Sequence, residues 1–140
     1  MPRSPYSTTQ VPVSKSQEGI RKILIENGAT GFQFTELIAE EILELKWARG
    51  VIIDGRRVQQ PLRIRIPMKG RRPEQIHRAL FYHLKTKFET IKFGIVTFEE
   101  EFLPYFEYKL PDGRHVTVAE RLLPDIRRGV APNFDLLSLP

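Results

Sequence analysis

The pair Asp54-Gly55 constrains what this chain can fold into more than any other two residues. A two-residue hairpin loop that follows the natural strand twist needs positive φ at both positions, which Asp tolerates and Gly adopts freely. On either side, 47–53 and 56–66 are rich in Val, Ile and Leu, and in the second run Leu62, Ile64 and Ile66 alternate with Arg63 and Arg65. A period of two sends one set of side chains into a core and leaves the guanidinium groups on the other face. Pro61 cannot donate to a strand ladder, so the second strand belongs at a sheet edge or carries a bulge.

The rest of the chain must cover that hairpin on one face. Ser14 or Ser16 can cap a helix over 16–27 in which Ile20, Ile23 and Leu24 recur at helical spacing, with Gly28 as its stop. Residues 31–35 alternate Phe32 and Phe34 against polar neighbours and read as a short strand. The run 36–45 (ELIAEEILEL) is made of good helix formers and reads as a short helix, the other reading being the arm of a long hairpin. Pro73 opens a long helix with the stripe Ile76, Leu80, Leu84, Phe88 and Ile91, ended by Gly94. Thr97 with Glu100, and Thr117 with Glu120, have capping-box spacing. The first starts a short helix halted by Pro104. The second starts a last helix with Val118, Leu122 and Ile126, interrupted or ended near Pro124, and a Pro-Asp-Gly turn at 111–113 separates the two.

At 140 residues one core is the expectation. The fold class is α+β: a small antiparallel sheet including a β-hairpin at about 47–66, packed by a long helix at about 73–93 and by shorter helices. Residues 1–13, with three prolines, read as a flexible N-terminal arm; 14–129 read as the single domain and 130–140 as an apolar tail without periodicity.

Several chemistries are excluded early. No cysteine means no disulfide, no thiolate metal site and no cysteine nucleophile. His77, His83 and His115 lack the spacing of a metal site, so neither metal nor other cofactor is expected. Glu99, Glu100 and Glu101 are consecutive and point apart. Glu44-Leu45-Lys46 and Glu107-Tyr108-Lys109 each fit the Glu-x-Lys half of a metal-dependent nuclease site, without the upstream aspartate it needs. Lys69-Gly70-Arg71-Arg72 lacks the second glycine and the Lys-Ser/Thr pair of a phosphate loop. The chain reads as a binding protein and not an enzyme. No run approaches the roughly 18–20 apolar residues of a membrane helix, and the first residues have no apolar leader centre, so the cytoplasm is the expected compartment. Two asparagines beside abundant Glu, Lys, Arg, Ile, Leu and Pro suit a thermophilic source.

Charge points to the partner. The formal charge is +5, and the span 56–72 holds seven basic residues, Arg56, Arg57, Arg63, Arg65, Lys69, Arg71 and Arg72, with no acidic one. Guanidinium groups fixed on a strand and continued into a basic loop suit contact with nucleic-acid phosphates. The competing reading is a solvated sheet face whose arginines pair with the acidic segment 36–44. The apolar tail residues Phe134, Leu136, Leu137 and Leu139 offer a second mode, an extended peptide docking in a groove of a host protein such as RNA polymerase, against packing on the chain's own core.

The strings 92–104 (KFGIVTFEEEFLP) and 110–117 (LPDGRHVT), followed by Leu136-Leu137, resemble a family of short uncharacterised proteins encoded by bacteriophages and prophages. The resemblance extends to 14–28 and the hairpin, with 36–46 standing as an insertion. It implies an accessory protein acting in the cytoplasm of a bacterial host, among genes handling DNA or as a regulator of a host machine, and it transfers no site residues.

Overall fold

In the computed structural model, residues 4–129 are described. The order is α1 (Val13–Glu26), β1 (Ala29–Leu37), β2 (Ile42–Ile53), β3 (Arg56–Pro67), α2 (Pro73–Phe93), α3 (Phe98–Phe102), a single 3-10 turn (Leu103–Tyr105), β4 (Glu107–Lys109), β5 (His115–Thr117) and α4 (Val118–Arg127). The fold class is α+β, as the sequence implies.

The expected hairpin is the backbone of the fold. β2 and β3 pair antiparallel without a slip from Ile53↔Arg56 at the turn to Ile42↔Pro67 at the far end. The turn has positive φ at Asp54 (51°) and Gly55 (76°), as the two-residue loop requires. β1 adds to β2, giving the order β1-β2-β3, so β3 is an edge strand, which accounts for Pro61.

The expected helix over 36–45 is overturned. Residues 36 and 37 end β1, the chain turns at 38–41 with Glu41 in the left-handed region (φ 53°), and 42–45 begin β2. The reason is burial. Leu43 and Leu45 continue the inward face of Trp47 at a period of two, while Glu44 on the opposite face finds Arg65 directly across the ladder. Helix preference of a few tenths of a kcal/mol per residue does not compete with burying two leucines, each worth about 2 kcal/mol. Pro124 is a second correction: α4 runs through it to Arg127. Only one internal hydrogen bond is forfeited, and Arg128 N–H donates to the Pro124 carbonyl at 3.2 Å to close the last turn.

The core lies on one face of the sheet. Leu45, Trp47, Leu62 and Ile64 meet Ile20 and Leu24 of α1, Leu80, Leu84 and Phe88 of α2, and Phe102 of α3. α1 begins at Val13 without a side-chain cap; Ser16 is buried, its hydroxyl accepting from Arg78 Nε at 3.2 Å. Residues 4–9, read as a loose arm, lie against α2: the Tyr6 ring stacks on Tyr82 at 5.4 Å, and Gln75 donates to Ser4 Oγ and the Pro5 carbonyl, both at 2.9 Å. Both capping boxes form as expected. The three consecutive glutamates diverge to three tasks: Glu99 pairs with Arg49, Glu100 caps α3 and Glu101 reaches Lys87 at 3.1 Å.

Candidate nucleic-acid interface

The seven basic residues do not form one surface. They divide along β3 into a tip, a middle and a base, separated by strand length, since a strand advances about 3.3 Å per residue.

At the tip the hairpin outruns its neighbour. The last β1–β2 pair is Ala29↔Arg49, and four further β2–β3 pairs, Gly50↔Gln59 to Ile53↔Arg56, have no third strand beside them. This two-stranded arm exposes Arg56 and Arg57, neither of which has an ion-pair partner among the described residues. It also exposes Ile52 (70%) on one face and Ile53 (45%) and Val58 (37%) on the other. Arg57 crosses the ribbon over Gly50, its Nε 3.2 Å from where a Cβ would stand, so a side chain at position 50 would push it away. Beside the arm a shallow groove of about 490 Å³ has Gly31, Ala48 and Pro61 among its lining, with Lys46, Gln59 and Glu107 also against it.

In the middle the arginines are spent internally. Arg63, expected at a phosphate, is 6% exposed and held between Glu107 of β4 (3.0 Å) and Glu120 of α4. The Arg63–Glu107 approach is close but poorly aligned, leaving Arg63 Nε and Glu107 Oε1 without a hydrogen-bond partner. Arg65 donates to Glu44 at 3.1 Å and lies 3.5 Å from Glu120. Arg63 is therefore a buried strut between the sheet and the C-terminal unit, and Arg65 is half-neutralised. The acidic competitor within 36–44 is Glu44; Glu107 and Glu120 come from elements further along the chain.

At the base, Lys69 and Arg71 are exposed in the loop before α2, while Arg72 turns back to the N-terminal segment, donating to the carbonyls of Ser7 (3.1 Å) and Thr9 (2.7 Å). The tail residues Phe134, Leu136, Leu137 and Leu139 lie outside the described residues. Among those that are described, no cluster of His, Asp or Glu could hold a metal ion, and no helix is long and apolar enough to cross a membrane.

The sequence singles out Arg56 and Arg57 but not the Ile52, Ile53 and Val58 side chains exposed beside them. The signal was available: the hairpin runs are longer than the Phe32–Phe34 strand that could flank them, so part of the ribbon had to project.

The middle cluster sets a pH dependence. Partial burial works against the charged form of Glu120, but hydrogen bonding from Thr117 and the Arg63 and Arg65 guanidinium groups hold its carboxyl below the usual carboxylate range. Its contribution is fully present above the ordinary glutamate range and is lost as pH falls through the lowered value. Acidification is expected to loosen α4 from β3 before the core melts, seen as faster amide exchange at 115–127 with 43–47 still protected.

Compared with protein-family models, with curated proteins and with solved structures, the chain matches none.

Proposed function

We infer that this chain binds duplex nucleic acid with the projecting β2–β3 arm. Arg56 and Arg57 neutralise phosphates, and Ile52, Ile53 and Val58 contact sugar and base edges. What carries the reading is the overhang: an unflanked two-stranded ribbon with unpaired arginines and bare aliphatic side chains at its end. The major groove of a duplex admits a two-stranded ribbon, and apolar side chains there can contact the thymine methyl while arginines reach phosphates. Lys69 and Arg71, about 35–40 Å away along β3, would add contacts only on a long or bent duplex. The setting that accompanies this reading is the one the phage resemblance implies, an accessory protein of DNA metabolism or its regulation in a bacterial cytoplasm.

The test is salt dependence. Two phosphate contacts predict a slope of log K against log salt of about −2, where seven would give about −6. Anisotropy of a labelled duplex between about 50 and 200 mM salt should return the shallow slope. R56A/R57A should flatten it, and K69A/R71A should leave it unchanged. No binding by the native chain, or equal binding by R56A/R57A with an unaltered circular dichroism spectrum, refutes the proposal.

A further inference from the structure

The two edges of the sheet are not alike. The two-residue loop makes Ile53 and Arg56 a mutually hydrogen-bonded pair, and bonding alternates from there down the ladder. Odd-numbered residues of β2 therefore face β3 and even-numbered ones face β1, in agreement with the Thr30 hydroxyl donating to the Ala48 carbonyl. In β3 the outward backbone positions then include 61 and 67, and both are proline, so two donors are missing there; a bridge from Leu62 to Phe106 covers part of the rest. That edge is guarded.

The β1 edge is open. Its outward backbone groups belong to Phe32, Phe34 and Glu36, and none has a backbone partner on that side among the described residues. From Gly31 to Leu37 the strand has no Lys, Arg or Pro, the usual guards of a free edge. The Phe32 and Phe34 rings pack on the core only in part and stay partly exposed at this border.

We propose that the β1 edge is a homodimer interface in which two copies pair β1 antiparallel about a twofold axis at Gln33, joining their sheets into one of six strands. In this register Phe32 of each copy lies opposite Phe34 of the second, an aromatic cross-strand pair on the core face. Gln33 meets Gln33, Gly31 meets Thr35, and the strand's single charge, Glu36, falls beside the bulge at Thr30, so no like charges face each other. Charge along the strand selects the orientation. One end has Glu36, Glu40 and Glu41, with Lys69 lining the same hollow as the last two, and the other leads to Arg56 and Arg57, with Asp54 at the turn and Glu26 just before the strand. Antiparallel pairing sets each acidic end toward the basic end of the second copy, whereas parallel pairing would set acid on acid. A strand that pairs with itself antiparallel is self-complementary, as a twofold interface demands. The dimer directs its two arms to opposite ends of the joined sheet.

Sedimentation equilibrium up to about 0.5 mM protein, where even weak association registers, tests this. The native chain should show twice the single-chain mass. Q33E and Q33K should each stay monomeric, because the axis would then bring two like charges together, and an equimolar mixture of the two should associate again. A single-chain mass for the native protein overturns the proposal. So do dimers of both single variants, which would place the interface elsewhere, and a mixture that stays monomeric, which would remove the axis from Gln33.

Discussion

Replacing Arg63 with alanine should destabilise the protein by about 3 kcal/mol or more, the largest loss expected of any of its charged residues. The side chain is 6% exposed, and the Glu107 carboxylate it faces is 8% exposed, so the substitution leaves a negative charge stranded in a place water reaches poorly. Glu120, 38% exposed on its side chain, can turn to solvent and adds little to the loss. The cost lies in the broken pair rather than in the worth of the intact one. Exchanging both partners for apolar residues of similar volume, R63M with E107L, should recover most of the stability, since desolvation consumes much of what a buried ion pair gains. Urea denaturation of the two single variants and the double variant gives the coupling directly. A loss under about 1 kcal/mol in R63A would mean that Glu107 is hydrated and the strut is not buried. The consequence for function is sharp. If the arm binds nucleic acid as proposed, an Arg63 variant should lose that binding only together with the β4–β5–α4 unit, whereas R56A/R57A should lose it with the fold intact.

Why Arg63 reads as a surface residue in the sequence, and is not one, follows from where its partners come from. The alternation Leu62-Arg63-Ile64-Arg65-Ile66 correctly puts the arginines opposite the core. Alternation cannot say what covers that opposite face. The cover is supplied by Glu120, 57 residues later, on a helix whose place over β3 is a tertiary fact. The hairpin, the long helix and both capping boxes were legible because each is specified by neighbours within a few residues: a turn pair, a proline at a helix start, a threonine three before a glutamate. The 36–45 run was not, because local preference and period disagree there. Seven of its ten residues are Glu or Leu, yet its buried apolar residues are Leu43 and Leu45 at a spacing of two, and the sheet face that buries them exists only once β3 has folded back. The prolines of β3 mark the opposite case: Pro61 pointed to an edge, and the strand order makes it one.

Phe102→Ala should cost about 3–5 kcal/mol, comparable to the worst core truncations. Phe102 is fully buried, and its ring lies 4.7 Å from that of Phe98, 5.1 Å from Phe88 and 5.6 Å from Trp47. These rings belong to α3, α2 and β2, so the site cannot collapse by moving one element, and most of the cavity would persist. α3 is only five residues long and is fixed by its capping box and this anchor. The string Phe-Glu-Glu-Glu-Phe at 98–102 is thus an architectural device: two rings inward, one carboxylate closing the cap, and two reaching cations on β2 and α2. Its reach extends to the arm. Arg49, at the point where the hairpin leaves the sheet, has its guanidinium 3.7 Å above the Phe98 ring and paired with Glu99. Loss of Phe102 should therefore release the arm's root as well as the core, measured as faster amide exchange over 49–60 at denaturant concentrations too low to unfold the sheet. Phe102→Leu, which keeps most of the volume, should cost far less and leave that exchange near native. Equal exchange at 49–60 in the alanine and leucine variants would mean that α3 does not brace the arm, and that the ribbon's projection is maintained by β2 and β3 alone.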